Sequence, residues 1–162
     1  MREQVAIVTG AGSAEGIGFA VARRMYVAGF RVAITSTTER IHQRARELDP
    51  GGGRVSAFVA DLTEETAAGQ IVEAVLQQNG QVDVLVNNAG MTQTGKANED
   101  TTLVESSYGD WRRQIEITLH TAYLMTRAVL PTMLVSRPEP SYAWVMVPPL
   151  GYVVLVRRKL AS

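Results

Sequence analysis

Cysteine is absent from the 162 residues of this chain. The absence excludes disulfide bonds, a catalytic thiol and any thiolate metal site, and we expect no bound metal. An excess of either charge is also missing, because 16 lysine and arginine residues balance 16 aspartate and glutamate residues. Without a basic surplus, nothing in the composition predicts binding to nucleic acid or to an anionic membrane surface.

Long hydrophobic runs are scarce as well. The longest apolar stretch, Tyr142 to Val156, is interrupted by Pro148, Pro149 and Gly151. It is shorter than the roughly 20 residues that a membrane-spanning helix needs. The N-terminus leads directly into an apolar segment at 5–8 and shows no signal-peptide pattern. We therefore expect a cytoplasmic protein with no membrane partner.

What the sequence does contain is a regular alternation of strands and helices. Four short apolar runs are separated by amphipathic segments, and the runs are Val5–Thr9, Phe30–Thr35, Val55–Val59 and Val82–Val86. Runs that are apolar throughout are typical of strands covered by helices on both faces, as in a parallel sheet. Their order predicts an α/β fold of the Rossmann type, with a doubly wound parallel sheet.

The segments between and after these strands have the spacing of helices. They are Gly16–Gly29, Glu39–Leu48, a helix that Thr63 would cap and that ends near Gly80, and a long helix from Asp110 to Leu134. In the long helix, the apolar residues that recur at helical spacing are Trp111, Ile115, Leu119, Ala122, Val129 and Met133. Pro131 should kink or end this helix.

The sharpest motif lies where the first strand ends and the first helix begins. Its sequence is Thr9-Gly10-Ala11-Gly12-Ser13-Ala14-Glu15-Gly16-Ile17-Gly18. Glycines allow a tight turn and the close approach of a phosphate, and the helix N-terminus offers unpaired N–H groups. We predict a dinucleotide-binding loop with contacts from Gly10, Gly12, Ser13, Gly16, Ile17 and Gly18. A glycine-rich turn that binds nothing is the alternative.

Two further segments follow the third and fourth strands, Asp61-Leu62 and Asn87-Asn88-Ala89-Gly90. Taken alone, the first could be a solvated loop and the second a turn. Together with the glycine loop they resemble the short-chain dehydrogenase/reductase family, in the style of the 3-oxoacyl-[acyl-carrier-protein] reductases. The family loop is Thr-Gly-x-x-x-Gly-x-Gly, so the loop here is two residues longer. The resemblance covers residues 1 to about 134.

The resemblance implies an NAD(P)(H)-dependent oxidoreductase acting on a small carbonyl or alcohol substrate. It implies adenine contacts at Asp61 and Leu62, and ribose contacts at Asn87, Ala89 and Gly90. Members of the family are usually dimers or tetramers built on their long helices, so a homo-oligomer is also expected.

The end of the second strand bears on the choice between NAD and NADP. Folds that prefer NAD place an acidic residue there to hold the ribose hydroxyls. Here the strand runs out through Thr35–Thr38, and no carboxylate appears before Glu39. Hydroxyl groups, with Thr37 as the predicted contact, and Arg40 could hold a 2′-phosphate. We predict NADP(H) over NAD(H), although Glu15 in the glycine loop argues for the opposite preference.

The family's catalytic residues are harder to find. The family uses a Tyr with a Lys four residues later, a Ser on the fifth strand and an Asn on the long helix. Thr118 stands in the place of the Asn, Pro148-Pro149 stands near that of the Ser, and no tyrosine here has a lysine four residues on. We therefore predict no catalytic residue other than Thr118, and a truncated, catalytically impaired chain.

Composition also changes along the chain, since most of the prolines lie at or beyond Pro131. We therefore divide it into an NAD(P)-binding Rossmann domain, 1–135, and an atypical tail, 136–162. Residues 143–147 of the tail could form a fifth strand, which gives an incomplete sheet of about five strands. The alternative to an oxidoreductase is a non-catalytic module for dinucleotide binding or oligomerisation.

Overall fold

The computed structural model describes residues 3–90, 104–134 and 142–145. The remainder of the tail, including the predicted strand residues 146–147 and Pro148-Pro149, lies outside the described residues. In chain order the elements are β1 (Val5–Val8), α1 (Ile17–Val27), β2 (Arg31–Ser36), α2 (Arg40–Leu48), β3 (Val55–Val59), α3 (Ala67–Asn79), β4 (Val84–Asn87), α4 (Tyr108–Ile115), a π turn (Glu116–His120), α5 (Thr121–Leu134) and β5 (Tyr142–Val145).

The strands form one five-stranded parallel sheet in the order β3-β2-β1-β4-β5. Val8 of β1 pairs with Ile34 of β2 on one side and with Val86 of β4 on the other. The chain therefore winds outward from β1 in one direction and then returns to build β4 and β5 in the other. This confirms the predicted doubly wound fold, and it places a topological switch point between β1 and β4. In open α/β sheets, ligands bind outside the carboxyl ends of the strands at such a point.

Helices cover both faces of the sheet, which explains why the strands are apolar at every position. Successive strand residues point to opposite faces, so Ile7 and Leu85 pack with α3 and α5, while Val8 and Val86 pack with α1 and α2. Each face has its own hydrophobic cluster. The two clusters share a sheet in which every residue of β1 and β4 is buried.

The predicted start of the third helix is wrong. α3 begins at Ala67, its N-cap is Thr66, and no side chain caps it. Thr63 instead donates from its amide and its hydroxyl to Asp61 Oδ1, at 3.0 and 2.7 Å. An Asp side chain that binds the backbone two residues later stabilises a turn, and here this turn outcompetes the helix start.

The long helix is continuous from Tyr108 to Leu134, but a π turn interrupts its α-helical geometry at 116–120. It continues for three residues beyond Pro131, so the proline does not end it. None of the helices within the described ranges combines the length and apolar character required to cross a bilayer.

The π turn also explains why part of the apolar face predicted for the long helix is exposed. In a uniform helix Trp111, Ile115 and Leu119 would share a face with Ala122 and Val129. Ala122 and Val129 are buried, but the first three side chains remain 49%, 40% and 53% exposed. A π turn holds one extra residue, which rotates the helix before it by roughly 100° relative to the helix after it. The apolar stripe of α4 is therefore turned away from the core.

Truncation of Met125 tests the packing of α5. Met125 is fully buried among α3 and sheet residues, so Met125→Ala should lower the free energy of unfolding by about 2–5 kcal/mol. Leu134→Ala is the matched control, because Leu134 lies in the same helix but is mostly exposed, and it should cost less than about 0.5 kcal/mol. Urea unfolding followed by circular dichroism measures both. Equal losses in the two variants would contradict the packing of α5 on the sheet.

Candidate functional site

The carboxyl ends of β1 to β4 bring the predicted site segments to one edge of the sheet. The chain leaves these strands at Thr9, Thr37, Ala60 and Asn88, respectively. The glycine loop, the hydroxyl-rich segment after β2, Asp61-Leu62 and Asn87–Gly90 therefore lie at this edge. We call the region between them the cleft, since open α/β sheets have a crevice there. α1 begins at the middle of this cleft, beside the switch point between β1 and β4.

Thr9 joins the two strands on either side of the switch point. Its buried hydroxyl oxygen accepts N–H bonds from Asn88 and Ala89, at 3.0 and 2.9 Å. In return, the Asn88 side-chain amide donates to the carbonyls of Thr9 and Gly10, at 3.1 and 3.0 Å. The start of the glycine loop and the segment after β4 are thus held as one rigid unit.

The glycines of the loop are required by its packing against neighbouring strands. A Cβ on Gly18 would lie 2.4 Å from Asn88 Nδ2 and 2.6 Å from the Gly10 carbonyl oxygen. A Cβ on Gly12 would lie 2.6 Å from Ser36 Oγ at the end of β2. Gly10 also has a φ of 70°, a conformation that side chains disfavour. No larger residue fits at any of these three positions without moving the loop.

The N-terminus of α1 opens into the cleft without a capping side chain. The N-cap residue is Gly16, so no side chain caps the helix, and the first turn of α1 holds no acidic residue. The first backbone N–H groups of a helix have no partners within the helix, so those of Ile17 and Gly18 are placed to donate to an anion. Segment 13–15 of the loop is exposed, and Gly16 N donates to the Ser13 carbonyl at 3.1 Å.

The segment after β2 presents a linked group of hydroxyls. Ser36 Oγ accepts from the Thr38 amide at 3.1 Å and lies 3.3 Å from Thr38 Oγ1. Arg40 Nε reaches Thr38 Oγ1 at 3.5 Å. Thr37, the residue predicted here, is exposed between them. Sequence reasoning did not select Ser36 and Thr38, although Ser and Thr side chains that bind the backbone two residues on are a known turn signal.

Asp61 lies at the end of β3 with its carboxylate partly engaged. Both hydrogen bonds from Thr63 go to Oδ1. They hold the pKa of Asp61 below its ordinary value, the hydroxyl bond first and the amide bond second, and the positive charge of Arg113 on α4 lowers it further. The side chain of the adjacent Leu62 is buried in the core, so only its backbone can face a ligand.

Asn87 turns away from the cleft and binds α5. Its Nδ2 donates to Thr126 Oγ1 at 3.0 Å, while its buried Oδ1 finds no donor among the described residues. The contact fixes α5 to the carboxyl edge of the sheet. Ala89 and Gly90 are half-buried at the mouth of the cleft.

Thr118 is half-buried within the π turn of the long helix. α5 leads from the carboxyl edge toward the start of β5, whose first residue Tyr142 pairs with Val84 at the opposite edge. Thr118 precedes the edge contact at Thr126 by eight positions, or roughly 12 Å of helix. The half-buried Thr118 therefore stands above the carboxyl edge, on the helix whose preceding part brings Arg113 near Asp61.

Known proteins are similar to this chain in both fold and sequence. A family model described as short chain dehydrogenase matches residues 4–140. A 3-oxoacyl-[acyl-carrier-protein] reductase from Synechocystis sp. is 33% identical over 81% of this chain and 51% of its own length. The structure of a metagenomic short-chain oxidoreductase in complex with NADP superposes with a TM-score of 0.69 at 35% identity, covering 82% of this chain and 57% of that one.

A second solved structure, a 3-ketoacyl-(acyl-carrier-protein) reductase from Brucella melitensis complexed with NADH, gives a TM-score of 0.70 at 31% identity. It covers 82% of this chain and 51% of its own. The chain therefore spans about half the length of the curated relatives that it matches.

The Thr63 hydroxyl is expected to control the pKa of Asp61. Because the folded-state pKa is depressed, the ionised carboxylate favours the folded state above the ordinary pKa, and this contribution is lost as pH falls through the folded pKa. Thr63→Val removes the hydroxyl bond and should raise the pKa of Asp61 toward its ordinary value. Carboxyl-carbon NMR titration measures the change. Thr66→Val is the control, because Thr66 is the N-cap residue of α3 and has no part in the pKa shift of Asp61, which should therefore remain. An unchanged pKa in Thr63→Val contradicts the assignment.

Proposed function

Because the chain belongs to the short-chain dehydrogenase family, we propose that it binds NADP(H) as part of an oxidoreductase that interconverts carbonyl and alcohol groups. The binding domain on this proposal is residues 1–135. The substrate and the reaction are part of the proposal, since the chain corresponds to about half of its relatives. A bound dinucleotide would supply or accept the hydride.

The observation that carries the proposal is the uncapped N-terminus of α1 at the switch point of the sheet. A pyrophosphate is a dianionic acceptor, and the N–H groups of Ile17 and Gly18 with the positive end of the helix dipole are donors of the matching kind. Ser13 and the backbone of Gly12 border this helix end. The residues present therefore fit the phosphate groups of a dinucleotide.

The two ends of a dinucleotide also find suitable neighbours. At the adenine end, Asp61 has committed only Oδ1 to Thr63, and the Leu62 backbone continues from it. At the nicotinamide end, Ala89 and Gly90 lie beside the switch point, and the backbone of Asn87 leads into them. Thr118 stands above this end, where its hydroxyl can both donate to and accept from a water or a substrate oxygen.

NADP(H) is preferred over NAD(H) on this proposal because of the charge after β2. Arg40 Nε lies 3.5 Å from Thr38 Oγ1, whose hydroxyl is linked to that of Ser36, and Thr37 is exposed beside them. Donors of this kind suit a 2′-phosphate. The nearest carboxylate, that of Glu39, lies 3.4 Å from His42 Nε2 on the next turn. NAD-type recognition would need an acidic group facing the ribose instead.

We further propose that the 162 residues have little hydride-transfer activity by themselves. The sequence contains no tyrosine followed four residues later by a lysine, and positioned acid–base catalysis contributes about 10²–10⁴ in rate. A non-catalytic role in dinucleotide binding or oligomerisation is the second candidate. An exposed apolar stripe on the long helix favours it, formed by Tyr108, Trp111, Ile115, Leu119 and Tyr123.

Dinucleotide binding is tested with three variants. NADPH should bind more tightly than NADH, and Arg40→Ala should weaken NADPH binding by about 10-fold to 100-fold, the value of a charged hydrogen bond, with little effect on NADH. Arg46→Ala, an exposed arginine at the other end of α2, should change neither. Gly18→Ala should abolish binding of both, because its Cβ would displace Asn88. Isothermal titration calorimetry gives the affinities.

Equal affinities for NADPH and NADH would contradict the proposed preference for NADPH. Failure to bind either dinucleotide would contradict the proposed function. Gly69→Ala is the control for the glycine variant, since a Cβ at this helical position meets nothing within 4 Å. The same preparations should oxidise NADPH with small ketones at the background rate. Turnover above background would contradict the proposed impairment.

Self-association through the apolar stripe is tested by placing a charge on it. Leu119→Glu should give a monomer where the unmodified chain is a dimer or larger, because burial of an unpaired carboxylate in an apolar interface is unfavourable. Leu134→Glu is the control, since Leu134 is equally exposed but lies at the far end of α5. Sedimentation velocity measures the mass. A monomeric unmodified chain, or equal effects of the two variants, would rule out an interface on this stripe.

A further inference from the structure

The π turn in the long helix leaves one carbonyl without its usual donor. In an α-helix the Thr121 amide would donate to the carbonyl of Ile117. Here it donates one residue further back, to the carbonyl of Glu116. The Thr121 hydroxyl replaces the missing donor and binds the Ile117 carbonyl at 2.7 Å.

The hydrogen bond of the Thr121 hydroxyl differs from that of most threonines in helices. A Thr hydroxyl commonly shares a carbonyl that already accepts from a backbone amide, and that contact is mildly destabilising. At Ile117 the hydroxyl donates to a carbonyl that the Thr121 amide no longer reaches, since that amide donates to Glu116. Both residues are at least half-buried, and a buried carbonyl left unpaired costs about 1–3 kcal/mol. The hydroxyl therefore stabilises the π turn relative to a regular α-helical turn.

The π turn in turn controls the direction of Thr118. Thr118 lies between Ile117 and Thr121, inside the turn, and is half-buried, whereas the next residue, Leu119, is exposed. Relaxation to a regular helix would remove the extra residue from the turn and rotate α4 against α5 by roughly 100°. Asn87 anchors α5 through Thr126, so α5 would stay in place. Thr118 and the helix before it would rotate instead.

We propose that Thr121 is a positioning residue, whose hydroxyl maintains the π turn and thereby directs Thr118 into the cleft. The inference rests on the proposed function in one respect, the presence of a dinucleotide beside Thr118. Its structural part, the dependence of the π turn on the Thr121 hydroxyl, is independent of any ligand. Thr121 itself is buried.

The test compares Thr121→Val, which keeps the shape of the side chain, with Thr121→Ser, which keeps the hydroxyl. Methyl NMR follows Thr118 while NADPH is added to the full chain. In Thr121→Val the NADPH-induced shift of the Thr118 methyl should disappear, while the amide of Gly18 still responds and the affinity stays within about threefold. Thr121→Ser should behave as the unmodified chain.

Thr132→Val is the matched control. The Thr132 hydroxyl donates to the Val129 carbonyl at 2.8 Å in the regular part of the same helix, so its loss should not affect Thr118. If Thr121→Val retains the Thr118 response, or if Thr121→Ser also loses it, the hydroxyl does not position Thr118 and the inference is overturned. Should Thr121→Val fail to fold, Thr121→Ala provides the same comparison.

A second readout separates this inference from the proposed function. Backbone carbonyl and amide shifts of residues 116–121 report the π turn without any ligand. If the unmodified chain binds no NADPH, the proposed function fails, but a change to α-helical shifts in Thr121→Val alone still supports the structural role of Thr121. Unchanged shifts in that variant would overturn the inference whether or not NADPH binds.

Discussion

The reciprocal hydrogen bonds between Thr9 and Asn88 are the contact on which the site depends. They cross the switch point between β1 and β4, where the chain reverses its direction of winding and where an open sheet has a natural crevice. They add to the pairing of β1 with β4 and link two loops that are far apart in sequence. With them, the glycine loop is fixed to the strand that carries Asn87 and Ala89, and the start of α1 is directed into the crevice.

Contacts with two neighbouring strands explain the spacing of the glycine motif. Gly18 is small because the Asn88 amide occupies the space of its Cβ, and Gly12 is small because Ser36 approaches it from β2. The loop is therefore held at both ends by neighbouring strands. The loop exceeds the family pattern by two residues, and in an exposed segment such as 13–15 added length has a small entropic cost. The insertion leaves the start of α1 intact.

The sequence was sufficient to predict the layers of the fold, because burial of a strand on both faces requires apolar residues at every position. The sequence was less informative about segments in which polar side chains compete with secondary structure for hydrogen bonds to the backbone. Thr63 has the residue type of a helix N-cap, but the neighbouring Asp61 captures it in a turn. The hydroxyl contacts after β2 involve Ser36 and Thr38, because the Ser36 side chain binds the Thr38 amide in a turn.

The π turn could not be predicted from hydrophobic spacing, because that spacing assumes a uniform helix. As a consequence, the two parts of the long helix face different surroundings. α5 is fastened to the core and to Asn87, while α4 turns its apolar residues outward. The extra residue in the turn accounts for the exposure of Trp111 and Ile115, because it rotates α4 relative to α5. Thr118 lies inside the same turn, so on the proposed role of Thr118 the exposed stripe and the cleft depend on the geometry of a single helix.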